Sequence, residues 1–415
     1  MASNALQSIL NNNFIIDNCT DFDKINMKAQ DKLTFYLGID LTGEGLHVGH
    51  LANLVLAKKL IADGHNIIII LGGATTYIGD PSGKEKSRMM LSPEKIKQNK
   101  SSIAKDVMAI LQPQNTEKLQ LDYDQEIVWE SKEGNIKILD NFYWLFSQKY
   151  ITFLREIGTC FTVNQMLSSD TVQRRLKNNQ PLSFLEFNYP ILQAYDFYYL
   201  NKKYNCDVQL GGADQWINIL QGVNLIKKLS PENKVFGLTI KLITRSDGKK
   251  MGKTENGAVW INPEKLSNKE YFQYFRNIPD SDVEKFLHVF TDKPQEEINA
   301  IINLPINDAK DRLAFLAVEH CRGTSAAEAT LKEIKDLFNG QATTFKDVAA
   351  GVLIVDLIVN EGFASSKSEA RRIIKANGVK INNVKVDDIN AKTEPSLGQF
   401  ILSCGKSKKQ SFKVK

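Results

Sequence analysis

The stretch Tyr36-Leu37-Gly38-Ile39-Asp40-Leu41-Thr42-Gly43-Glu44-Gly45-Leu46-His47-Val48-Gly49-His50 decides the fold. Residues 33–39 alternate enough to read as a strand and 40–45 as a loop. From His47 a helix runs to Ala62, with Gly64 placed to end it. The unbroken run Asn66-Ile67-Ile68-Ile69-Ile70-Leu71 follows, the pattern of a strand buried on both faces. This is a strand, helix, strand unit. Further short strands at 205–210 and 237–243 alternate with helices, which predicts an α/β, doubly wound parallel sheet of Rossmann-like type. Such sheets bind ligands at the carboxyl edge, where the quoted loop lies. His47 and His50 are three apart at the helix start, so both rings face the same way, beside backbone N–H groups and the positive end of the helix dipole. That is a candidate phosphate site, and Gly49 between them lets a flat ligand approach the backbone. Taken alone, the pair reads equally well as two surface donors near a helix cap.

Outward from this core, 415 residues exceed one ordinary domain. With 42% hydrophobic and 24% charged residues, the composition is that of a globular chain. The longest uncharged aliphatic run, Ile67 to Leu71, is far below the roughly 20 residues a membrane span needs. The first basic residue is Lys24, preceded by Asp17, Asp21 and Asp23, so neither a signal nor a transit peptide is read and the cytoplasm is the expected compartment. Cys19, Cys160, Cys206, Cys321 and Cys404 are odd in number and scattered, without a C-x-x-C spacing, and predict neither disulfides nor structural zinc. Residues 267–339 read as almost wholly helical, and 340–344 as a linker. The opening 30 residues are polar and weakly patterned, and 115–134 carry no motif and are expected to be a surface insertion.

A second constellation, Lys249-Lys250-Met251-Gly252-Lys253-Thr254, offers two mobile cations and a hydroxyl suited to a leaving pyrophosphate. By itself it reads better as a solvated loop. H-x-G-H early and K-M-x-K-[ST] about 200 residues later is the two-part signature of class I aminoacyl-tRNA synthetases. Three further stretches resemble the bacterial-type tyrosyl-tRNA synthetase family: Gly72-Gly-Ala-Thr-Thr-Tyr-Ile-Gly-Asp80-Pro-Ser-Gly-Lys84, Tyr189-Pro-Ile-Leu-Gln193-Ala-Tyr-Asp196 and Gln209-Leu-Gly-Gly212-Ala-Asp214-Gln215-Trp216. The resemblance spans nearly the whole chain.

It implies activation of tyrosine by ATP and transfer of the tyrosyl group to the terminal adenosine of tyrosine tRNA. It also implies ATP with magnesium as substrate, and no protein-bound metal or prosthetic group. By matching positions, His47 and His50 with Thr42 hold ATP phosphates, while Lys84, Arg88, Lys250, Lys253 and Thr254 clamp the leaving pyrophosphate. Tyr36 and Asp196 take the substrate hydroxyl, and Asp80, Tyr189 and Gln193 surround its ammonium. Gln215 lines the carboxylate end. Gly38, Asp40, Gly49, Gly212 and Asp214 complete the nucleotide pocket, and Asn53 lies close to the ribose. Gly252 replaces the serine of the commoner class signature and removes one hydroxyl donor. The expected domains are a catalytic domain at 1–245 with a dimer-interface insertion at 141–200, a mobile loop at 246–260, a helical tRNA-binding domain at 261–340 and an RNA-binding unit at 351–415.

The net charge of +5 is unevenly spread: residues 351–415 hold 12 Lys and Arg against 6 Asp and Glu, leaving 41 against 42 elsewhere. This basic unit resembles the S-four-like RNA-binding fold, a helix-turn-helix followed by a short strand pair. Ser366-Lys-Ser-Glu369 reads as a capping box opening its second helix. Lys367, Arg371, Arg372 and Lys375 recur at helical spacing and can follow a phosphate backbone, with Lys406, Lys408 and Lys409 near the end. Three rival readings remain: a tryptophanyl-tRNA synthetase, a small-molecule nucleotidyltransferase, and an RNA-binding protein that keeps a synthetase fold without activity. The family also implies a homodimer, with no membrane partner.

Overall fold

The computed structural model describes residues 5–28, 31–82, 91–111, 127–130, 135–246, 248, 251–254, 257–338, 345–405 and 408–415. For residues 5, 127, 128, 170, 171, 253, 254 and 338 it describes the backbone alone. The chain divides into two compact units, Met1–Gly323 and Thr324–Lys415.

The first unit is built on seven strands: β1 (Ile16–Cys19), β2 (Thr34–Asp40), β3 (Asn66–Gly72), β4 (Ile127–Glu130), β5 (Ile136–Asp140), β6 (Val208–Gly212) and β7 (Phe236–Ile240). They lie in the order β1-β7-β6-β2-β3-β5-β4. The five inner strands are parallel, while β1 pairs with β7 and β4 with β5 antiparallel. The sheet is therefore mixed, not wholly parallel as expected. The two edge strands come from stretches that show no pattern. Ile16-Asp17-Asn18-Cys19 is too short for a period, and Ile127–Glu130 sits in the segment expected to be a surface insertion, yet Trp129 is buried. The rest of 115–134 falls outside the described residues.

Strand β3 earns its central place by composition. Ile67 to Leu71 are all 2% exposed or less, and burying each is worth about 1.5–3 kcal/mol. From β2 the chain steps outward through β3 to β5 on one side, and later through β6 to β7 on the other. The reversal falls between β2 and β6, where an open α/β sheet leaves a crevice at its carboxyl edge.

After the sheet come the helices Asn268–Arg276, Val283–Phe290, Gln295–Ile302 and Ile306–Arg322, all in the first unit. Their core is Phe272, Phe275, Phe286, Phe290 and Leu313, each fully buried. Helix Val283–Phe290 packs on Val48–Ala62, and the Lys59 ammonium donates to the His288 carbonyl at 3.0 Å, so the helical part grips the helix that opens at His47. The stretch 261–340, expected as one helical domain, is shared between the units, since Thr324–Phe338 belongs to the second. The linker at 340–344 falls outside the described residues.

In the second unit, helices Ile354–Asn360 and Lys367–Lys375 cover a five-stranded sheet where a strand pair is expected. Two short strands of the first unit, β8 (Lys253–Thr254) and β9 (Gly257–Ala258), precede it in number. Its own strands are β10 (Lys346–Val348), β11 (Val379–Ile381), β12 (Val384–Lys385), β13 (Gln399–Cys404) and β14 (Lys408–Val414), in the order β10-β14-β13-β11-β12. Ile354, Ile358, Ala370, Ile374, Phe400, Leu402 and Phe412 form the core. Ser366 caps the second helix by accepting from the Glu369 N–H. The capping box is not completed, because the Glu369 carboxylate accepts instead from the Ser365 N–H and hydroxyl.

Candidate active site

A cavity of about 330 Å³ opens at the carboxyl edge where β2 and β6 part. Period-two alternation along β2 puts Tyr36, Gly38 and Asp40 on one face, and all three line it. In parallel register with Tyr36, Gln209 of β6 faces the same space. Tyr189, Gln193 and Asp196 arrive together because helix Phe184–Tyr204 spaces them four and then three residues apart. That helix opens with a full capping box between Ser183 and Glu186 and ends at Asn205 in the left-handed region. Thr42, His47, Gly49, His50, Asn53, Asp80, Gly212, Asp214 and Gln215 also line it, as do Leu37 and Ile39 of β2.

One end is a closed polar pocket. The Asp196 carboxylate accepts from Asn141 Nδ2 at 2.9 Å and from Trp144 Nε1 at 2.7 Å. Burial pushes its carboxyl up to about 7, against these two hydrogen bonds, which favour the ionised form. Tyr36, 2% exposed, has no hydrogen-bond partner for its hydroxyl among the described residues. Burial, followed by the charge of Asp196, raises its phenol well above the ordinary value and keeps it a donor. Gln209 Oε1 and Asn53 Oδ1 are likewise buried without a partner among the described residues. Buried polar atoms are nearly always satisfied, so three orphans lining one cavity mark where a ligand's polar atoms go.

The middle of the cavity gathers carboxylates and amides. Asp40 accepts from the Tyr189 hydroxyl at 3.0 Å and the Thr75 hydroxyl at 2.9 Å. Asp80 accepts from Gln215 Nε2 at 2.7 Å, and Asn218 Nδ2 lies 3.1 Å from Gln193 Oε1. This arrangement suits a cation.

At the other end the two histidines are part of the helix start itself. His47 is the N-cap of helix Val48–Ala62, and its Nδ1 accepts the Gly49 N–H at 3.0 Å. His50 Nδ1 accepts the His47 N–H at 3.2 Å, and the rings lie 4.1 Å apart. Backbone N–H groups at this helix start, expected to face a ligand, are taken within the protein: the histidine rings accept those of His47 and Gly49, and the Val259 carbonyl accepts that of Val48. Since each Nδ1 accepts, each proton sits on Nε2, and both rings present a donor. Burial and the neighbouring His47 pull His50 down to about 3, so it donates as a neutral imidazole.

Lys84, Arg88 and Lys250 fall outside the described residues, and Lys253 and Thr254 are described only as the backbone of β8. Asn141, Trp144, Asn53, Thr75 and Gln209 line or support the cavity. Of these only Asn53 has a role assigned from the sequence, while Thr75 and Gln209 lie in the stretches that carry the resemblance without one. Asn141 and Trp144 directly follow β5 at the carboxyl edge, which is their one sequence signal.

In the second unit, Lys367, Arg371, Arg372 and Lys375 are all exposed on helix Lys367–Lys375. Lys367 is drawn to Asp356 at 2.8 Å. The Lys408 ammonium donates to the Phe363 carbonyl at 2.9 Å, and Lys406 falls outside the described residues.

Residues 27–339 match the family described as tRNA synthetases class I (W and Y), and residues 333–409 match the Tyrosine–tRNA ligase SYY-like C-terminal domain. The chain is 41% identical over 385 residues to the tyrosine–tRNA ligase of Orientia tsutsugamushi (strain Ikeda), covering 89% of each. It is 42% identical over 416 residues to that of Borrelia duttonii (strain Ly), covering 96% of this chain and 97% of the other. A C-terminally truncated mitochondrial tyrosyl-tRNA synthetase from Aspergillus nidulans superposes with a TM-score of 0.67 at 26% identity, covering 81% of this chain and 94% of that one.

Proposed function

Because the chain belongs to the tyrosine–tRNA ligases, class I synthetases of the tryptophan and tyrosine group, we propose that the cavity between β2 and β6 is where tyrosine meets ATP. The enzyme is an aminoacyl-tRNA ligase specific for tyrosine. The observation that carries the site assignment is the Tyr36 hydroxyl, buried without a partner among the described residues in the same pocket as Asp196. In our reading the substrate phenol donates to Asp196 and accepts from Tyr36, satisfying both. Asp80, Tyr189 and Gln193 hold the ammonium, and Gln215 steadies the carboxylate end. ATP lies along Gly38, Asp40, Thr42 and Gly49, with Gly212 and Asp214 at the ribose. His47 and His50 donate from Nε2 to its phosphates.

The tyrosine carboxylate arrives ionised, so activation needs no general base. One of its oxygens bonds to the α-phosphorus, the bond from that phosphorus to the bridging oxygen breaks, and pyrophosphate leaves with the electron pair. Charge grows on the leaving group, which Lys84, Arg88, Lys250, Lys253 and Thr254 clamp. A hydroxyl of the terminal adenosine of the tRNA then displaces AMP from the tyrosyl carbonyl. Magnesium enters with ATP, and its chemistry is to offset phosphate charge. Among the described residues no group of three or more His, Cys, Asp or Glu side chains is disposed to hold an ion. Tyrosine-dependent exchange of pyrophosphate into ATP tests the assignment, and its absence would return the inactive RNA-binding reading to the front.

We assign tRNA binding in part to residues 351–415 as an S-four-like module, supported by the exposed Arg371, Arg372 and Lys375 on one helix. Deleting 351–415 should spare pyrophosphate exchange and reduce tRNA charging to background; retained charging overturns the assignment. The helical stretch 261–340 is a second tRNA contact in this reading.

We also infer a homodimer through the insertion at 141–200. Nine exposed large apolar side chains cluster in its sequence: Phe142, Phe146, Tyr150, Ile151, Leu154, Val163, Leu176, Phe184 and Leu185. A surface of that kind is normally covered. Sedimentation should give about twice the 46.8 kDa chain mass, and a single-chain mass at micromolar concentration contradicts the dimer. Among the described residues no helix is long and apolar enough to cross a membrane. The cytoplasm, where tRNA is charged, is the proposed compartment.

A further inference from the structure

The signature around Gly252 departs from the class pattern, and the structure gives that departure a geometric reason. Gly252 sits at φ +92°, and a Cβ there would lie 2.7 Å from the Gly49 nitrogen and 2.9 Å from His47 Nδ1. A side chain at this position would strike the first signature, so glycine lets the two signatures touch backbone to backbone. The contact continues downstream. The Gly252 carbonyl accepts from the Val259 N–H at 3.0 Å, Val48 N–H donates to the Val259 carbonyl, and Ile261 N–H donates to the Leu46 carbonyl.

The outer side of the same turn is held from the helical part. Tyr274, on helix Asn268–Arg276, accepts the Gly252 N–H at 3.1 Å and donates its own proton to Met251 Sδ at 3.1 Å. Its hydroxyl thus uses one acceptor and one donor on two successive residues. The helix that presents it is fixed by Tyr271, Phe272 and Phe275, all fully buried. Met251 is itself buried, and its N–H donates to the Ile243 carbonyl at 2.9 Å.

We propose that Tyr274 is a positioning residue for activation, holding the Met251-Gly252 turn so that the lysines on either side of it, Lys250 and Lys253, meet the leaving pyrophosphate. The inference rests on the assignment of those lysines as the clamp. It gives this enzyme a specific route by which the helical part bears on the chemical step.

The experiment is a double-mutant cycle in the full chain between Tyr274→Phe and Lys253→Ala, read by single-turnover formation of tyrosyl-adenylate and by pyrophosphate exchange. Phenylalanine keeps the ring and removes one hydroxyl. Tyr274→Phe should lower the activation rate about three- to tenfold, with KM for tyrosine within about twofold and an unchanged melting temperature. In the Lys253→Ala background the same change should cost less than about twofold, because the clamp it serves is gone. Equal losses in both backgrounds, an unchanged rate in Tyr274→Phe, or a parallel loss of tyrosine binding and melting temperature would each overturn the proposal. Failure of the clamp assignment looks different: Lys253→Ala alone would then leave the rate unaltered.

Discussion

Replacing Lys253 with alanine is expected to slow tyrosyl-adenylate formation by about 10²- to 10³-fold while tyrosine affinity stays within about twofold. The expectation follows from where cations stand. Among the described residues lining the cavity, Lys241 is the one Lys or Arg, and its ammonium donates to the Asn13 carbonyl at 2.6 Å. His50 is neutral at working pH, and the carboxylates of Asp40, Asp80 and Asp214 add negative charge to a site that must release pyrophosphate. Compensation has to come from the stretches that carry Lys84, Arg88, Lys250 and Lys253. Residue 253 leaves Gly252, which touches Gly49, and enters the β8-β9 hairpin beside the first signature. A group that meets only the leaving pyrophosphate stabilises the transition state more than bound tyrosine. Rapid-mixing measurement of adenylate formation, set beside equilibrium tyrosine binding, separates the two. Equal losses in rate and affinity contradict the role.

Asp196→Asn is expected to lower kcat/KM for tyrosine by about 10³-fold or more. An amide cannot accept from Asn141 and Trp144 on both sides and still accept from a substrate phenol. One donor is left facing another donor in a buried pocket, at a cost of about 1–3 kcal/mol, on top of the lost bond to a charged acceptor, itself about 1.5–3 kcal/mol. The wild-type pH profile reports on the same residue. With its carboxyl raised to about 7 by burial, Asp196 is protonated below that pH and ionised above it, so kcat/KM for tyrosine should fall roughly tenfold per unit as pH drops below about 7. Asp40 and Asp140 act on Asp196 in the same upward sense as burial. His50 does not titrate in that window, having been pulled down to about 3. A profile flat from pH 5 to 8, or an inflection that survives in Asp196→Asn, would count against the assignment.

The sequence made the core of this architecture readable because it is written in strong local signals. The Ile67–Leu71 run, the alternation through β2 and the glycine-bearing loop before His47 each specify one element with little tertiary help. Edge strands β1 and β4 escaped because a strand paired on one side needs few apolar residues and four of them make no period. The second unit's five strands were undercounted for the same reason, β12 being two residues long. Within the site, the residues we assign to the ligand stood in recognisable stretches. Those that orient them did not: Asn141 and Trp144 matter through the carboxylate of Asp196, a relation visible only once helix Phe184–Tyr204 and the end of β5 are brought together. The use of both histidine Nδ1 atoms as helix caps depends on ring orientation, which spacing alone does not specify. Nor does a sequence show that Gly252 lies against Gly49, where glycine is a packing requirement as well as a missing hydroxyl.

The central claim is that the pocket containing Tyr36 and Asp196 selects tyrosine for transfer to tRNA. The most direct test is aminoacylation of bacterial tRNA by the full chain with tyrosine, phenylalanine or tryptophan as the sole amino acid. The account predicts efficient charging with tyrosine. It predicts discrimination of at least about 10³ against phenylalanine, which leaves the Tyr36 hydroxyl without a partner and brings no donor to Asp196, and little or no charging with tryptophan. Comparable kcat/KM for phenylalanine, or a preference for tryptophan, would contradict it.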